Sequence, residues 1–497
     1  MGSSDRYLAV AEALKPILRE TRAQPLHLVR FESDDSFLGY RTVVDKNASS
    51  LAETWFSEGE SVVIDFGSHG VGYLSFALIA DGYADTPARL RLVFGQVPSD
   101  IAEELYPSKS WMTKAWLPYE DHTIGEIPTV INISRRYAFR YVKIEIKEMS
   151  DEFKVGFHDL SLRRVTSAPR DVEPIPDPTV NRIDAVGLCT LRDCMQEVFE
   201  DGPRRDRGLF LGDLRLQALA NYVTYQNNDL VKRCLYLFAG LRSQGRIMAC
   251  VFDRPKPHPS KIYQPDYELL FPVALYEYVQ HTGDVETGRD LFPVCQDMLE
   301  RNYASFFQDG LFTKTDLWYF FDWDQGLKRT ACMQAGYIFA YKVAEKLAKL
   351  IQASVDYKAT IDTLSTAVLS YYDTEQGVFV CEGQVSWVTQ AWMGLAQVLT
   401  PAEHVRAIQC AMHDPTAMKP MCPYGMHYVL EALHVNGATE ECLRVGKAYY
   451  GGMVERGADT FWEVYDERDA KLSPYHDHHI NSYCHGFACT MSWFIRQ

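Results

Sequence analysis

Ala168-Pro-Arg-Asp-Val-Glu-Pro-Ile-Pro-Asp-Pro178 divides this chain into two halves of different periodicity. Each proline in it lacks a backbone donor and fixes its own φ, so the stretch reads as an extended connector, neither helix nor central strand. On its N-terminal side, from about Ser61 to Val165, short runs alternate apolar and polar residues. Ser61-Val-Val-Ile-Asp-Phe66, Leu74-Ser-Phe-Ala-Leu78, Arg89-Leu-Arg-Leu-Val-Phe94 and Phe139-Arg-Tyr-Val-Lys-Ile-Glu-Ile146 read as strands, punctuated by Gly67, Gly70, Gly72, Gly82 and Gly95. No long helix intervenes, which predicts an antiparallel β-sandwich. Ahead of it Tyr7, Leu8, Val10, Ala11, Leu14, Ile17 and Leu18 fall at helical spacing, as in a short leading helix.

Beyond Arg182 the apolar period becomes 3.6. Residues 214–223, 230–241, 269–279, 333–351, 357–371, 389–399, 428–432 and 484–495 read as helices, with loops at Gly283-Asp284, Asp309-Gly310 and Gly451-Gly452. About a dozen helices fit in this half. No fixed-period repeat favours a solenoid, and helical hairpins closed into a toroid fit the length. The expected organisation is a sandwich domain over 1–167, a linker over 168–182 and an all-α domain over 183–497.

The chain of 497 residues carries a formal charge of −16, which repels nucleic acid and anionic membranes. No apolar run approaches a membrane span, and residues 1–20 lack the pattern of a secretory signal. All twelve cysteines lie between Cys189 and Cys489, and none forms a Cys-x-x-Cys pair. Zinc-finger spacing is absent, and a reducing, cytoplasmic setting is expected. Aromatics make up 13% of the residues. Sugar rings stack on such side chains, although large helical cores consume them as well.

The densest chemistry is Glu200-Asp-Gly-Pro-Arg-Arg-Asp-Arg-Gly-Leu-Phe-Leu-Gly-Asp213. Gly202-Pro203 excludes regular structure, so Asp201, Arg205 and Asp206 sit on a loop before a helix. Carboxylates beside arginines suit polyol binding, and desolvation would tune their protonation. On these residues alone, a solvated, salt-bridged loop with Asp213 as helix N-cap is the simpler reading. A second carboxylate occurs in Gly457-Ala-Asp-Thr-Phe-Trp-Glu-Val-Tyr465, where Trp462 would offer a stacking face beside Glu463; a buried Trp next to an exposed Glu reads equally well.

Both stretches resemble the α-L-rhamnosidases of glycoside hydrolase family 78. That family carries an Asp-Gly-x-Lys/Arg-Arg-Asp-Arg run ending in Gly-Asp, then Thr-x-Trp-Glu, then Ser-x-x-His near its last helix. Here these are Asp201 to Asp213, Thr460-Phe-Trp-Glu463 and Ser482-Tyr-Cys-His485. The resemblance implies Asp206 as general acid, Glu463 as general base, and Asp201, Arg205, Asp213 and His485 around the sugar. Asp206 stands where many members have Glu, and Phe210 where they often have Trp. Phe321-Asp-Trp-Asp324 resembles the family's Gly-Asp-Trp loop and implies Asp322 and Trp323 as pocket residues. Ser386-Trp-Val-Thr-Gln390 resembles a family helix start and adds Trp387. Val63-Ile-Asp-Phe-Gly67 and Arg136-Tyr-Ala-Phe-Arg-Tyr-Val142 resemble the family's sandwich.

The resemblance further implies an (α/α)6 barrel of six hairpins behind the sandwich, in the compact two-domain form of the family. It implies inverting hydrolysis of rhamnosylated glycosides or oligosaccharides, no cofactor, and a homodimer. Two other readings stand beside it: an inverting (α/α)6 glycosidase for another sugar, and a sugar-binding protein in which Asp206 is too short to act as acid. His476-Asp-His-His479 places three imidazoles and a carboxylate together. With no second cluster to complete a ligand set, an interface or lid loop without metal is expected.

Overall fold

The computed structural model describes residues 3–82 and 87–497. Ten antiparallel strands form one hydrogen-bonded network in the N-terminal half. The stretches read as strands at 61–66 and 74–78 are parts of a single strand, Ser61–Asp81. It pairs first with Tyr137–Glu148, and further on with Lys154–Thr166 and Thr129–Asn132. Pairing with Tyr137–Glu148 is interrupted between Asp65 and Gly70, where Gly67 takes a φ of 78°. The interruption lets one strand serve both parts of the expected sandwich, so its layers are joined into a single network. Ile64, Phe76, Leu78, Leu92, Phe139 and Phe157 fill one apolar core from alternate positions. Strands before Ser61, such as His27–Ser33 and Tyr40–Asn47, carry a weaker alternation and were not expected.

The leading helix is Ser3–Ala13. It packs on the Asn228–Gly240 helix of the C-terminal half, not on the sheet. Tyr7 and Ala11 are buried there, and the Tyr7 hydroxyl donates to the carbonyl of Asp290 at 3.0 Å. Within the Pro-rich stretch, Asp177 accepts the N–H groups of Thr179 and Val180, so the first long helix, Pro178–Cys194, begins before Arg182.

Beyond it the helices alternate between two layers. Leu211–Val223, Phe271–Thr282, Thr330–Ile351, Trp387–Ala396 and Pro423–Val435 each pack against the next. The C-terminal turns Gly486–Thr490 and Met491–Ile495 lie between the last of these and the first, closing a ring of six. Asn228–Gly240, Val285–Phe306, Lys358–Val368, Pro401–His413, Thr439–Glu455 and Pro178–Cys194 form the outer layer. The division follows from side-chain pattern. Every residue of Trp387–Ala396 is buried, whereas Lys358–Val368 buries only Ile361, Leu364 and Val368. Gly451-Gly452, expected as a loop, lies inside the Thr439–Glu455 helix. A Cβ on Gly452 would stand 2.7 Å from the Tyr465 hydroxyl, so this glycine serves close packing and makes no turn. The expected 484–495 helix is instead a 3-10 turn followed by one short helix. Among the described residues no helix is long and apolar enough to cross a membrane.

Candidate active site

The acidic stretch meets the chain's end through backbone bonds. Asp201 and Gly208 close the 201–208 loop: the Asp201 N–H donates to the Gly208 carbonyl at 2.9 Å, and the Gly208 N–H donates to Asp201 Oδ1 at 3.0 Å. Glu463 N–H donates to Ser482 O at 2.9 Å, and Ser482 N–H returns to Glu463 Oε2 at 3.0 Å. Gly486 N–H reaches the carbonyl of Asp201 at 2.6 Å. Gly202 permits this approach, since a Cβ there would lie 2.8 Å from Ser482 Oγ and 3.4 Å from His485 Nδ1. Asp206 and Arg207 follow with φ of 57° and 54°, a left-handed pair that the surrounding contacts must hold. Arg204 supplies one such contact, with both guanidinium nitrogens on Asp100 of the sheet domain at 2.9 Å.

Arg205 joins the two predicted catalytic carboxylates. It is buried, with Nη1 2.6 Å from Asp206 Oδ2, Nη2 2.5 Å from Glu463 Oε2 and Nε donating to Ile480 O at 2.8 Å. Its guanidinium lies over the Tyr475 ring at 4.2 Å, and the Tyr475 hydroxyl donates to Glu463 Oε1 at 2.5 Å. Burial alone would raise Glu463. The charge of Arg205, then His485, the Tyr475 hydroxyl and the Ser482 N–H outweigh it and hold Glu463 below the usual carboxylate range. Asp201 goes the other way: burial, then the neighbouring charges of Asp206 and Asp213, push it well above that range. Asp213 is raised too, chiefly by burial. One ionised carboxylate therefore faces a group of acids, two of which resist ionisation. This is the asymmetry acid–base chemistry requires.

These groups floor a cavity of about 500 Å³. Asp201, Arg205, Asp206, Phe210, Asp213, Trp323, Glu463 and His485 all line it. Asp213 Oδ1, His485 Nδ1 and Trp323 Nε1 are buried there without a hydrogen-bond partner, and His485 Nε2 stands 3.4 Å from Asp213. Asp213 sits in the first turn of a helix that starts at Leu211, and so does not cap it. Three predicted pocket residues lie elsewhere. Asp322 accepts N–H bonds from Met421, Cys422 and Asp324 at 2.9, 3.2 and 3.0 Å, tying its loop to the Pro423–Val435 helix. Trp387 is wedged at its helix start, donating to Ala411 O at 3.0 Å and lining a different cavity. Trp462 stacks on Phe37 at 5.8 Å and does not line this cavity.

Other lining residues were not anticipated: Trp111 and Met112 from the sheet domain, Tyr475, Trp318, Phe320 and Tyr267. Tyr475 was detectable only as a neighbour of the histidine run, and Trp111 carried no pattern. Asp206 also borders a second cavity, of about 400 Å³, with Arg135, Arg136, Glu200 and Arg207. It therefore stands between two spaces, only one of which Glu463 lines.

Family models match both halves. Residues 25–164 match the glycosyl hydrolase family 78 α-rhamnosidase N-terminal domain, and residues 176–497 match the bacterial α-L-rhamnosidase six-hairpin glycosidase domain. The chain belongs to glycoside hydrolase family 78. Among solved structures this family 78 chain is similar to a rhamnosidase from Klebsiella oxytoca with rhamnose bound. That match has 38% identity and a TM-score of 0.95, and it covers 99% of this chain and 98% of that one. A family 78 rhamnosidase of Bacillus sp. GL1 shares the fold at 20% identity and a TM-score of 0.77, over 93% of this chain and 50% of its own. An α-L-rhamnosidase of Streptomyces avermitilis complexed with L-rhamnose shares it at 16% and 0.69, over 97% and 44%. Among curated proteins no match is found. The six-hairpin ring and the sheet domain are thus those of a glycoside hydrolase of the α-L-rhamnosidase family.

Proposed function

We propose that the hydrolase releases terminal L-rhamnose from α-L-rhamnosides by single displacement, with Asp206 as general acid and Glu463 as general base. The position of Asp206 carries the assignment. A general acid must reach the glycosidic oxygen, which lies between the sugar leaving and the group it leaves, and Asp206 alone of the four carboxylates borders both cavities. Asp201 and Asp213 border only the inner one. Glu463 is held below the usual carboxylate range and lines the inner cavity, as suits a base that deprotonates water. Asp201, Arg205, Asp213 and His485 meet the ring hydroxyls. The C6 methyl of rhamnose takes the apolar wall of Phe210, Phe320 and Trp323.

Arg205 bonds both carboxylates, and the resemblance implies inversion, in which a water fits a gap of about 6.5–9.5 Å between them, whereas direct attack by a carboxylate needs roughly 5–5.5 Å. Both reacting groups are side chains, so the chemistry calls on no cofactor. Free thiols at all twelve cysteines favour the reducing cytoplasm, and the resemblance implies a homodimer, which sedimentation tests.

Hydrolysis of nitrophenyl α-L-rhamnoside against a panel of other nitrophenyl glycosides tests the substrate. Asp206→Asn tests the acid: turnover of rhamnosides with poor leaving groups falls by roughly 10²–10⁴-fold, and that of nitrophenyl rhamnoside by much less. Equal losses on both substrates contradict the assignment, and binding without turnover on any glycoside returns the chain to a sugar-binding role.

A further inference from the structure

The histidine run lacked a partner in the sequence, and the fold supplies one. Residues 473–481 form a strap laid across the sheet domain. Trp111 Nε1 donates to Pro474 O at 3.1 Å, Ser108 Oγ donates to Asp477, and Asp477 in turn caps the turn His478–Ile480. Under the strap Glu103 Oε2 stands 3.1 Å from His478 Nε2 and 3.6 Å from His479 Nε2, and the two imidazole rings lie 4.1 Å apart. Three donor atoms from two domains thus converge within 4.8 Å.

Glu103 accepts Lys471 Nζ at 2.9 and 3.1 Å, but no hydrogen bond joins it to His478. His478 Nε2 is buried and makes no hydrogen bond, although a carboxylate oxygen is 3.1 Å away, so that oxygen lies off the ring's N–H axis. Ligands of a shared ion are disposed in this way, because the ion occupies the axis and the neighbouring donor sits beside it. Zinc bonds of about 2.0–2.2 Å at tetrahedral angles put donors about 3.3–3.5 Å apart, between the two separations found. Asp100 Oδ1 lies 3.7 Å from His479 Nδ1, on the far side of that ring and beyond hydrogen-bond distance. A second group of three, His69, Asp193 and Cys484, differs in this respect. There His69 Nδ1 already bonds Asp193 at 2.6 Å and its Nε2 bonds Gln96 at 2.9 Å, leaving no nitrogen free.

We propose that Glu103, His478 and His479 bind a divalent transition-metal ion, zinc by preference, which fastens the 473–481 strap to the sheet domain. Two imidazoles and one carboxylate suit zinc and not calcium or magnesium. Water completes the coordination from the solvent side, with Lys471 swinging clear of Glu103. The same strap carries Tyr475, so the ion braces the cavity wall from outside. It does not enter the chemistry, because the Tyr475–Glu463 bond stands without it.

The test is made on the full chain, stripped with EDTA and titrated with zinc. One tightly held zinc per chain is expected, with the melting temperature raised by several degrees. Cobalt in its place should give the visible absorption of a tetrahedral site. Glu103→Gln and His478→Ala should each lose the ion and the thermal shift, while turnover of nitrophenyl rhamnoside well below the melting temperature stays that of the parent. No retained zinc in the parent overturns the proposal. So does zinc kept equally by both variants, which would put it on His69, Asp193 and Cys484 or elsewhere.

Discussion

The floor and the wall of the cavity are built in opposite ways. The floor comes from three short stretches of the helical domain, Asp201–Asp213, Glu463 and Ser482–His485, pinned to one another by backbone bonds. The wall is gathered from distant places: Trp111 on a sheet-domain loop, Trp318, Phe320 and Trp323 on the loop between Val285–Phe306 and Thr330–Ile351, and Tyr475 on the strap. Floor residues act through charge, where a displacement of an ångström is costly. Wall residues act through contact area, which many side chains can supply. Chemistry should therefore be concentrated in the floor, and affinity spread over the wall.

The sharpest way to break this contrast is Glu463→Gln. Turnover should fall on the order of 10⁴-fold on every rhamnoside, activated or not, because neither leaving-group protonation nor sugar binding supplies the attacking hydroxide. A kcat within tenfold of the parent would remove Glu463 from the mechanism.

Tyr475 sits where the two regions join, and Tyr475→Phe sharpens the boundary. The hydroxyl donates to the ionised form of Glu463 and helps hold it low. Its loss raises the carboxylate, so the acidic limb of kcat/KM moves to higher pH, with little change at neutral pH. An unmoved limb would mean that Glu463 does not govern it. The smallest effect belongs to Trp111→Ala, a wall residue with no charged partner. KM should rise about two- to tenfold, with kcat intact. A fall in kcat alone would mean that the wall takes part in the chemistry.

The same division explains what was legible in the sequence. Asp201, Arg205, Asp206 and Asp213 fall within thirteen residues around Gly202-Pro203, a run compact enough for the resemblance to single out, although read alone it suggested a solvated loop. Tyr475 and Trp111 could not be read, because each becomes meaningful only when the strap crosses the sheet domain. Asp322, Trp387 and Trp462 illustrate the converse error. Each sits in a family-like run, yet Asp322 spends its oxygens on three backbone N–H groups, and the two indoles pack against Ala411 and Phe37. The inner helices were read in place with shifted ends, as were the outer Asn228–Gly240 and Lys358–Val368. Val285–Phe306, which carries Pro293 and a solvated face, was not.

Stereochemistry tests the central claim, that Asp206 and Glu463 act across a water, most directly. Proton NMR of the first product formed from an α-L-rhamnoside, taken before mutarotation, reads the anomer at the moment of release. The account predicts β-L-rhamnose, the inverted product of single displacement with a water between acid and base. α-L-rhamnose appearing first would make Glu463 a nucleophile and contradict the account, even with hydrolysis itself intact.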